Sequence, residues 1–324
     1  MPGDDQKKFD VVIAGGGIAG MSAAVTSARL GRTTLVLTGD VLGGQLVSIE
    51  KIEGFPGYPE GVPGYDLCPM MQEQAVASGA EVMMNSLERI GSRDAEWRVT
   101  TDAGDILARS LILATGSTLK KLNIPGEERL TGRGVSHCAS CDAPLLRDRI
   151  VAVVGGGDSA MQEALTLAAF ASKVIMIHRG DALAGQANYR DRVTVHPRID
   201  LRFGTAVSEI LGESTVTGLR ARTARDGVAS DLEVAAVFAY VGLQPNTGVL
   251  KDWIRLNPTG QIPTDGWMRT GLLGVCAAGN VRSQSPCRAV SAAGDGASAA
   301  VAVDRYLTDG AWANRSRQDD ARGD

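Results

Sequence analysis

The chain carries the same glycine turn twice. Gly15-Gly16-Gly17-Ile18-Ala19-Gly20 follows an apolar run at 9–14 and leads into Met21, Ala24, Val25 and Ala28 at helical spacing, with a second apolar run at 33–37. The order recurs from 150–154 through Gly155-Gly156-Gly157-Asp158-Ser159-Ala160, then Met161, Ala164, Leu165 and Ala168, to a run at 174–177. Each copy reads as strand, tight turn, helix, strand. In such a unit the first glycine makes the turn, the second lets a pyrophosphate approach the backbone, and the third lets helix pack on strand. Free N–H groups at the helix start favour the anion. A lone glycine pattern says little; two copies, each in its βαβ context, imply two dinucleotide sites, one using Gly15, Gly17 and Gly20, the other Gly155, Gly157, Asp158 and Ser159.

The length of 324 residues allows two domains, and 44 % apolar residues with 40 glycines and few aromatics suit an α/β protein with many tight turns. A net charge of −4, with no block of Lys and Arg, argues against a nucleic-acid partner. The apolar stretch at 11–30 is broken by Gly15, Gly16, Gly17 and Gly20, so it reads as strand, turn and helix rather than as a signal peptide or membrane span. Five cysteines, only two of them close together, do not form the framework of a small secreted domain, and a reducing cytoplasmic compartment is expected. The polar stretch at 309–324 is expected to fray, with a flexible tail over 311–324.

His137-Cys138-Ala139-Ser140-Cys141-Asp142 lies just ahead of the second unit. Two cysteines at this spacing can close a small disulfide, and the motif tends to lower the pKa of one thiol. Zinc would need two further ligands, and no second close cysteine pair exists, so no metal site is expected. Asp142 is a candidate proton donor or acceptor for thiol–disulfide exchange, a helix cap, or both. His137 could stabilise a thiolate or lie exposed. Cys68, Cys276 and Cys287 read as ordinary small residues. At the second nucleotide unit, His178 and Arg179 stand where basic groups would meet an NADPH 2′-phosphate, with a solvated strand end as the lesser alternative; Thr38 and Gly39 replace the usual ribose-binding acid of the first.

In order and spacing these motifs resemble the low-molecular-weight thioredoxin reductases and their paralogues, from about residue 9 to residue 307. The resemblance is carried by the two glycine turns with Gly43-Gly44-Gln45, Gly54-Phe55-Pro56-Gly57, Leu113-Ala114-Thr115-Gly116, Gly132-Arg133-Gly134-Val135 and the cysteine pair. Downstream it includes Tyr240-Val241-Gly242, Pro245-Asn246-Thr247, Ala277-Ala278-Gly279-Asn280 and Ala292-Ala293-Gly294-Asp295-Gly296. It implies two Rossmann-like three-layer α/β domains, the second inserted in the first. An FAD domain would take residues 1–119 and 247–310, and an NAD(P)H domain carrying the cysteine pair would take 120–246. It further implies a homodimer, a cycle in which the smaller domain rotates, and thioredoxin or a similar dithiol as partner. Gly44, Gln45, Thr115, Gly116, Gly279, Asn280, Arg288 and Ala289 would join the first glycine turn around FAD. Cys141 would face the flavin, Cys138 would exchange with the protein disulfide, and Asp142 would supply the proton.

The chain departs from the family pattern at both cofactor sites. The family motif His-Arg-Arg followed by another Arg four positions on is here His178-Arg179-Gly180 with Ala184, which removes two guanidinium groups from the NADPH site. Gly54 replaces an Asn and Asn280 an Asp, and Cys287-Arg288-Ala289 stands for Arg-Gln-Ala. Arg288 beside the flavin pyrimidine would favour the anionic reduced form. These changes leave NADPH and NADH both open as cofactor, and leave three competing readings: a dithiol oxidase that uses O₂, a reductase with a protein electron donor, and a non-catalytic redox sensor.

Overall fold

The computed structural model describes residues 7–93, 96–250 and 252–312. Residues 313–324 of the expected tail lie outside the described residues; just before them, Trp312 packs edge-on against Tyr306 with ring centroids 5.3 Å apart. The chain forms two compact units, one from Met1–Ser117 with Pro245–Asp324 and one from Thr118–Gln244.

The first unit opens with β1 (Lys8–Ala14), α1 (Ile18–Arg29) and β2 (Thr34–Leu37), then α2 (Gly64–Ala77) and β3 (Glu81–Met83). A hairpin of β4 (Leu87–Arg93) and β5 (Glu96–Thr101) leads into the long β6 (Gly104–Leu113), and β7 (Ser117–Leu119) leaves the unit. The second unit begins with α3 (Glu127–Leu130), β8 (Val135–Ser136) and α4 (Ala139–Asp142). It continues through β9 (Ile150–Val154), α5 (Asp158–Ala168), β10 (Lys173–Ile177), α6 (Ala187–Val195) and β11 (Ile199–Arg202). A three-stranded antiparallel sheet of β12 (Thr205–Leu211), β13 (Gly218–Thr223) and β14 (Ala229–Glu233) precedes β15 (Ala236–Ala239). The chain returns through β16 (Leu243–Pro245), which pairs with β7, and ends with β17 (Val275–Ala277) and α7 (Ala289–Asp309).

Both units rest on the same parallel plan. In the first, β3, β2, β1, β6 and β17 lie side by side in that order, all parallel, with β5 added antiparallel to the first half of β6 and β4 antiparallel to β5. In the second the order is β11, β10, β9, β15, β8, again all parallel. Strands covered on both faces read as near-continuous apolar runs, as in Val11–Ala14 and Val151–Val154, where every residue is buried. Alternate residues point to opposite faces. Val11, Ile13 and Ile112 pack toward α1 and α7 with Ala23, Ala24, Ala299 and Val303, while Val12, Leu35, Leu111 and Leu113 pack with Ile90, Val99 and Leu250. In the second unit Val151, Val153 and Met176 meet α5 and α6, and Ala152, Val154 and Ile177 meet the sheet of β12 to β14 through Ile210 and Leu219. Each unit is therefore a three-layer, Rossmann-like α/β assembly. Among the described residues no helix is long and apolar enough to cross a membrane.

Candidate active site

In open parallel sheets, ligands bind beyond the carboxyl ends of the strands. In the second unit that edge gathers what the sequence singled out. The glycine turn follows β9, the cysteine pair follows β8, and β15 runs between them. Cys138 and Cys141 are joined as a disulfide, with Cα atoms 5.3 Å apart. Cys138 is half-buried and caps the four-residue α4, while Cys141 is exposed and Asp142 half-buried. The Asp142 amide donates to the Cys138 carbonyl at 3.3 Å, and the Cys138 amide donates to the Ser136 hydroxyl at 3.2 Å. His137 is not an exposed bystander: its Nδ1 lies 3.3 Å from the Ala239 carbonyl oxygen, which ties the motif to the end of β15. Among the described residues no three His, Cys, Asp or Glu side chains gather as a metal site.

The next residue of that segment, Tyr240, received no role from its sequence. Its carbonyl oxygen lies 2.4 Å from where a Cβ on Gly155 would stand, which is why that turn accepts only glycine, at φ +148°. Its ring belongs to the same buried cluster as Ala139, Ala143 and Met161. Burial, reinforced by the Glu163 and Asp142 carboxylates, pushes the phenol far above its ordinary range, with the Ala139 backbone amide opposing them.

Gly157 has nothing within 4 Å of its missing Cβ, so the backbone at the head of α5 stays open to a phosphate. Asp158 is turned away from that opening. Its carboxylate accepts from the Gln186 amide at 2.7 Å and fastens the loop after β10. The Ala184 amide bonds to the Gly156 carbonyl at 2.8 Å, so this loop lies against the glycine turn. Ser159 opens α5 beside Asp158. The His178 ring rests on Gly156 and Gly180, where added Cβ atoms would come within 2.4 and 2.8 Å of ring nitrogens. Arg179 is exposed, and Gly180 and Ala184 bring no cation.

The first unit repeats this arrangement. Gly15 turns beneath the Ala114 carbonyl, 2.1 Å from its would-be Cβ, and Gly17 is open like Gly157. Thr38 packs on Gly16 as His178 packs on Gly156, and its hydroxyl is spent on the Gly39 carbonyl at 2.9 Å. Gly44 lies against Gly17, and the Gln45 amide nitrogen donates to the Ser117 carbonyl. The Thr115 hydroxyl donates to the Asn246 carbonyl at 2.8 Å and Asn246 Nδ2 returns a bond to the Thr115 carbonyl at 2.9 Å, which pins Gly116 at φ +66°. Beyond β17, Gly279 and Asn280 start a single helical turn, with the Asn280 side-chain oxygen accepting from Ser285 at 3.2 Å. Arg288 is exposed as the cap of α7, and Ala289 is its first residue, partly buried against the core.

A buried ion pair organises this last corner. Asp295 on α7 accepts from Arg282 Nε at 2.6 Å, from Arg282 Nη2 at 2.8 Å and from the Gly279 amide at 3.1 Å. The sequence reading gave neither residue a role; an acid amid the small residues of α7 was the one signal that could have marked Asp295. The two open cradles at Gly17 and Gly157, each at the carboxyl edge of a parallel sheet, fit two dinucleotides.

The pyridine nucleotide-disulphide oxidoreductase family model matches residues 9–296. The thioredoxin reductase of Treponema pallidum is 40 % identical over 92 % of this chain and 97 % of its own length, and that of Streptomyces coelicolor 38 % identical over 92 % and 94 %. The crystal structure of Lactococcus lactis thioredoxin reductase superposes with a TM-score of 0.90 at 35 % identity, covering 92 % of this chain and 99 % of that one.

Proposed function

The chain belongs to the pyridine nucleotide-disulphide oxidoreductases, and from that membership we propose that it passes two electrons from NAD(P)H through FAD and the Cys138–Cys141 disulfide to thioredoxin or a similar dithiol protein. The carrying observation is the disulfide standing at the same sheet edge as an open glycine turn. The unit built from Met1–Ser117 and Pro245–Asp324 holds the FAD, and Thr118–Gln244 holds the nicotinamide nucleotide. FAD held there would supply the two-electron relay between a hydride donor and the disulfide. The chain's own residues do the rest. Gly17 and Gly157 admit the pyrophosphates, Gln45, Thr115 and Gly116 shape the flavin side, and Asn280 offers an amide where a carboxylate is usual. Asp142 relays a proton to a leaving thiolate, and Cys138 exchanges with the partner's disulfide.

With Gly180 and Ala184 in place of two guanidiniums, the nucleotide site lacks two charge-assisted contacts of about 1.5–3 kcal/mol each. Little preference for NADPH over NADH is expected. With FAD bound, Arg288 would favour its reduced anionic form, so Arg288→Gln should lower the flavin midpoint potential. The homodimer and the cytoplasmic setting rest on the family resemblance and on cysteine usage.

Steady-state oxidation of NADPH and NADH with thioredoxin as acceptor tests this reading. Cys138→Ser and Cys141→Ser should each lose at least about 10³-fold in turnover while the flavin is still reduced by nucleotide. Turnover that survives both changes would remove the disulfide from the path. The loss of the two guanidiniums also favours a dithiol oxidase, and dithiol-dependent O₂ consumption without nucleotide would establish that reading instead.

A further inference from the structure

Three buried hydroxyls among the described residues have no hydrogen-bond partner, and one of them, Tyr240, stands at the redox site. Native proteins rarely leave a buried polar group unmatched, so an orphan at a reacting centre calls for a function. Tyr240 emerges from β15, the strand between β8 and β9, and therefore between the disulfide and the second glycine turn. It is only 8 % exposed, and its ring shares a cluster with Ala139, the residue after Cys138. The phenol oxygen faces the Ala139 backbone amide without meeting it at hydrogen-bonding geometry. Burial and the neighbouring Glu163 and Asp142 carboxylates keep the group protonated, hence a donor.

We propose that the Tyr240 hydroxyl is a hydrogen-bond donor held for the reduced form of the Cys138–Cys141 pair. The inference deepens the reading above and rests on it. Reduction breaks the S–S bond with two electrons drawn from the nicotinamide nucleotide and takes up one proton, leaving one thiol and one thiolate. A disulfide sulfur is a poor acceptor, whereas a thiolate is a strong one. Opening the bond removes the covalent staple across the four-residue α4, and the proposal requires that one freed sulfur then meet the hydroxyl. Tyr240 keeps its proton throughout and acts as a positioning residue that stabilises the dithiol state.

The decisive variant is Tyr240→Phe in the full-length, FAD-loaded protein, equilibrated anaerobically in glutathione buffers. The Cys138–Cys141 pair is read by alkylation and peptide mass, independently of turnover. The equilibrium should move toward the disulfide by about tenfold, about 30 mV for a two-electron couple. The oxidised variant should melt no lower than wild type, having lost only an unpaired hydroxyl, while the reduced variant should melt lower than reduced wild type. A shift of less than about threefold, or an equal loss of melting temperature in both redox states, would overturn the proposal. A wild-type pair that neither glutathione nor excess NADPH or NADH reduces would remove the redox reading itself and this inference with it. A wild-type pair that titrates beside an identical variant would remove only the role of Tyr240.

Discussion

Five cysteines in one chain divide by surroundings rather than by number. Burial pushes the Cys68 thiol up to about 11 and raises Cys276 well above its ordinary range, whereas Cys287 is exposed. Because the thiolate is the reactive form, iodoacetamide at neutral pH should label the native oxidised protein at Cys287 alone. Reduction should then expose Cys138 and Cys141, and only unfolding should add the last two. Rapid native labelling of Cys68 would contradict the packing described. The spacing of Cys138 and Cys141 made their chemistry readable, since two thiols three positions apart can bond without help from the rest of the fold. Tyr240 was not readable in the same way. In an apolar strand end an aromatic looks like core, and only the packed sheet shows that its polar tip reaches the cysteine turn. The packing of Thr38 on Gly16 and of His178 on Gly156 is likewise a contact through space, to which a sequence reading has no access.

At the level of elements, glycines within one turn separate folding from binding. Gly15→Ala places a Cβ into the Ala114 carbonyl at φ +120°, and should destabilise by about 1–3 kcal/mol or more. Gly17→Ala meets nothing within 4 Å, so apoprotein stability should hold while flavin content falls. Gly157→Ala should keep the flavin and raise KM for the nucleotide. Urea unfolding of the apoproteins, with flavin absorbance and nucleotide kinetics, distinguishes these outcomes; loss of apoprotein stability in Gly17→Ala would contradict the open cradle. Asp295→Ala should cost about 3–5 kcal/mol, because it strands the Arg282 guanidinium in a buried corner. A Tm within a degree of wild type would show the pair to be dispensable. The parallel strands and their helices were legible from apolar runs and glycine turns. The β4–β5 hairpin and the three-stranded sheet of β12 to β14 were not, because half-exposed strands such as β14 lack a continuous apolar signal.

Across the whole molecule, one strand order serves both units, β3-β2-β1-β6-β17 and β11-β10-β9-β15-β8. The repeated glycine turn made that duplication visible in the sequence. The return of the chain after Gln244 to complete the first sheet with β17 depended on resemblance, since β17 is only three residues long and carries no periodic signal of its own. On the proposed cycle, electrons enter at the second unit's nucleotide site and leave through its disulfide. Anaerobic stopped-flow mixing of the FAD-loaded protein with NADPH and NADH in parallel, with the Cys138–Cys141 thiols counted afterwards, follows both ends of that path. Rapid flavin bleaching by both nucleotides, followed by appearance of the dithiol, is the expected result; bleaching by a small dithiol but by neither nucleotide would contradict it.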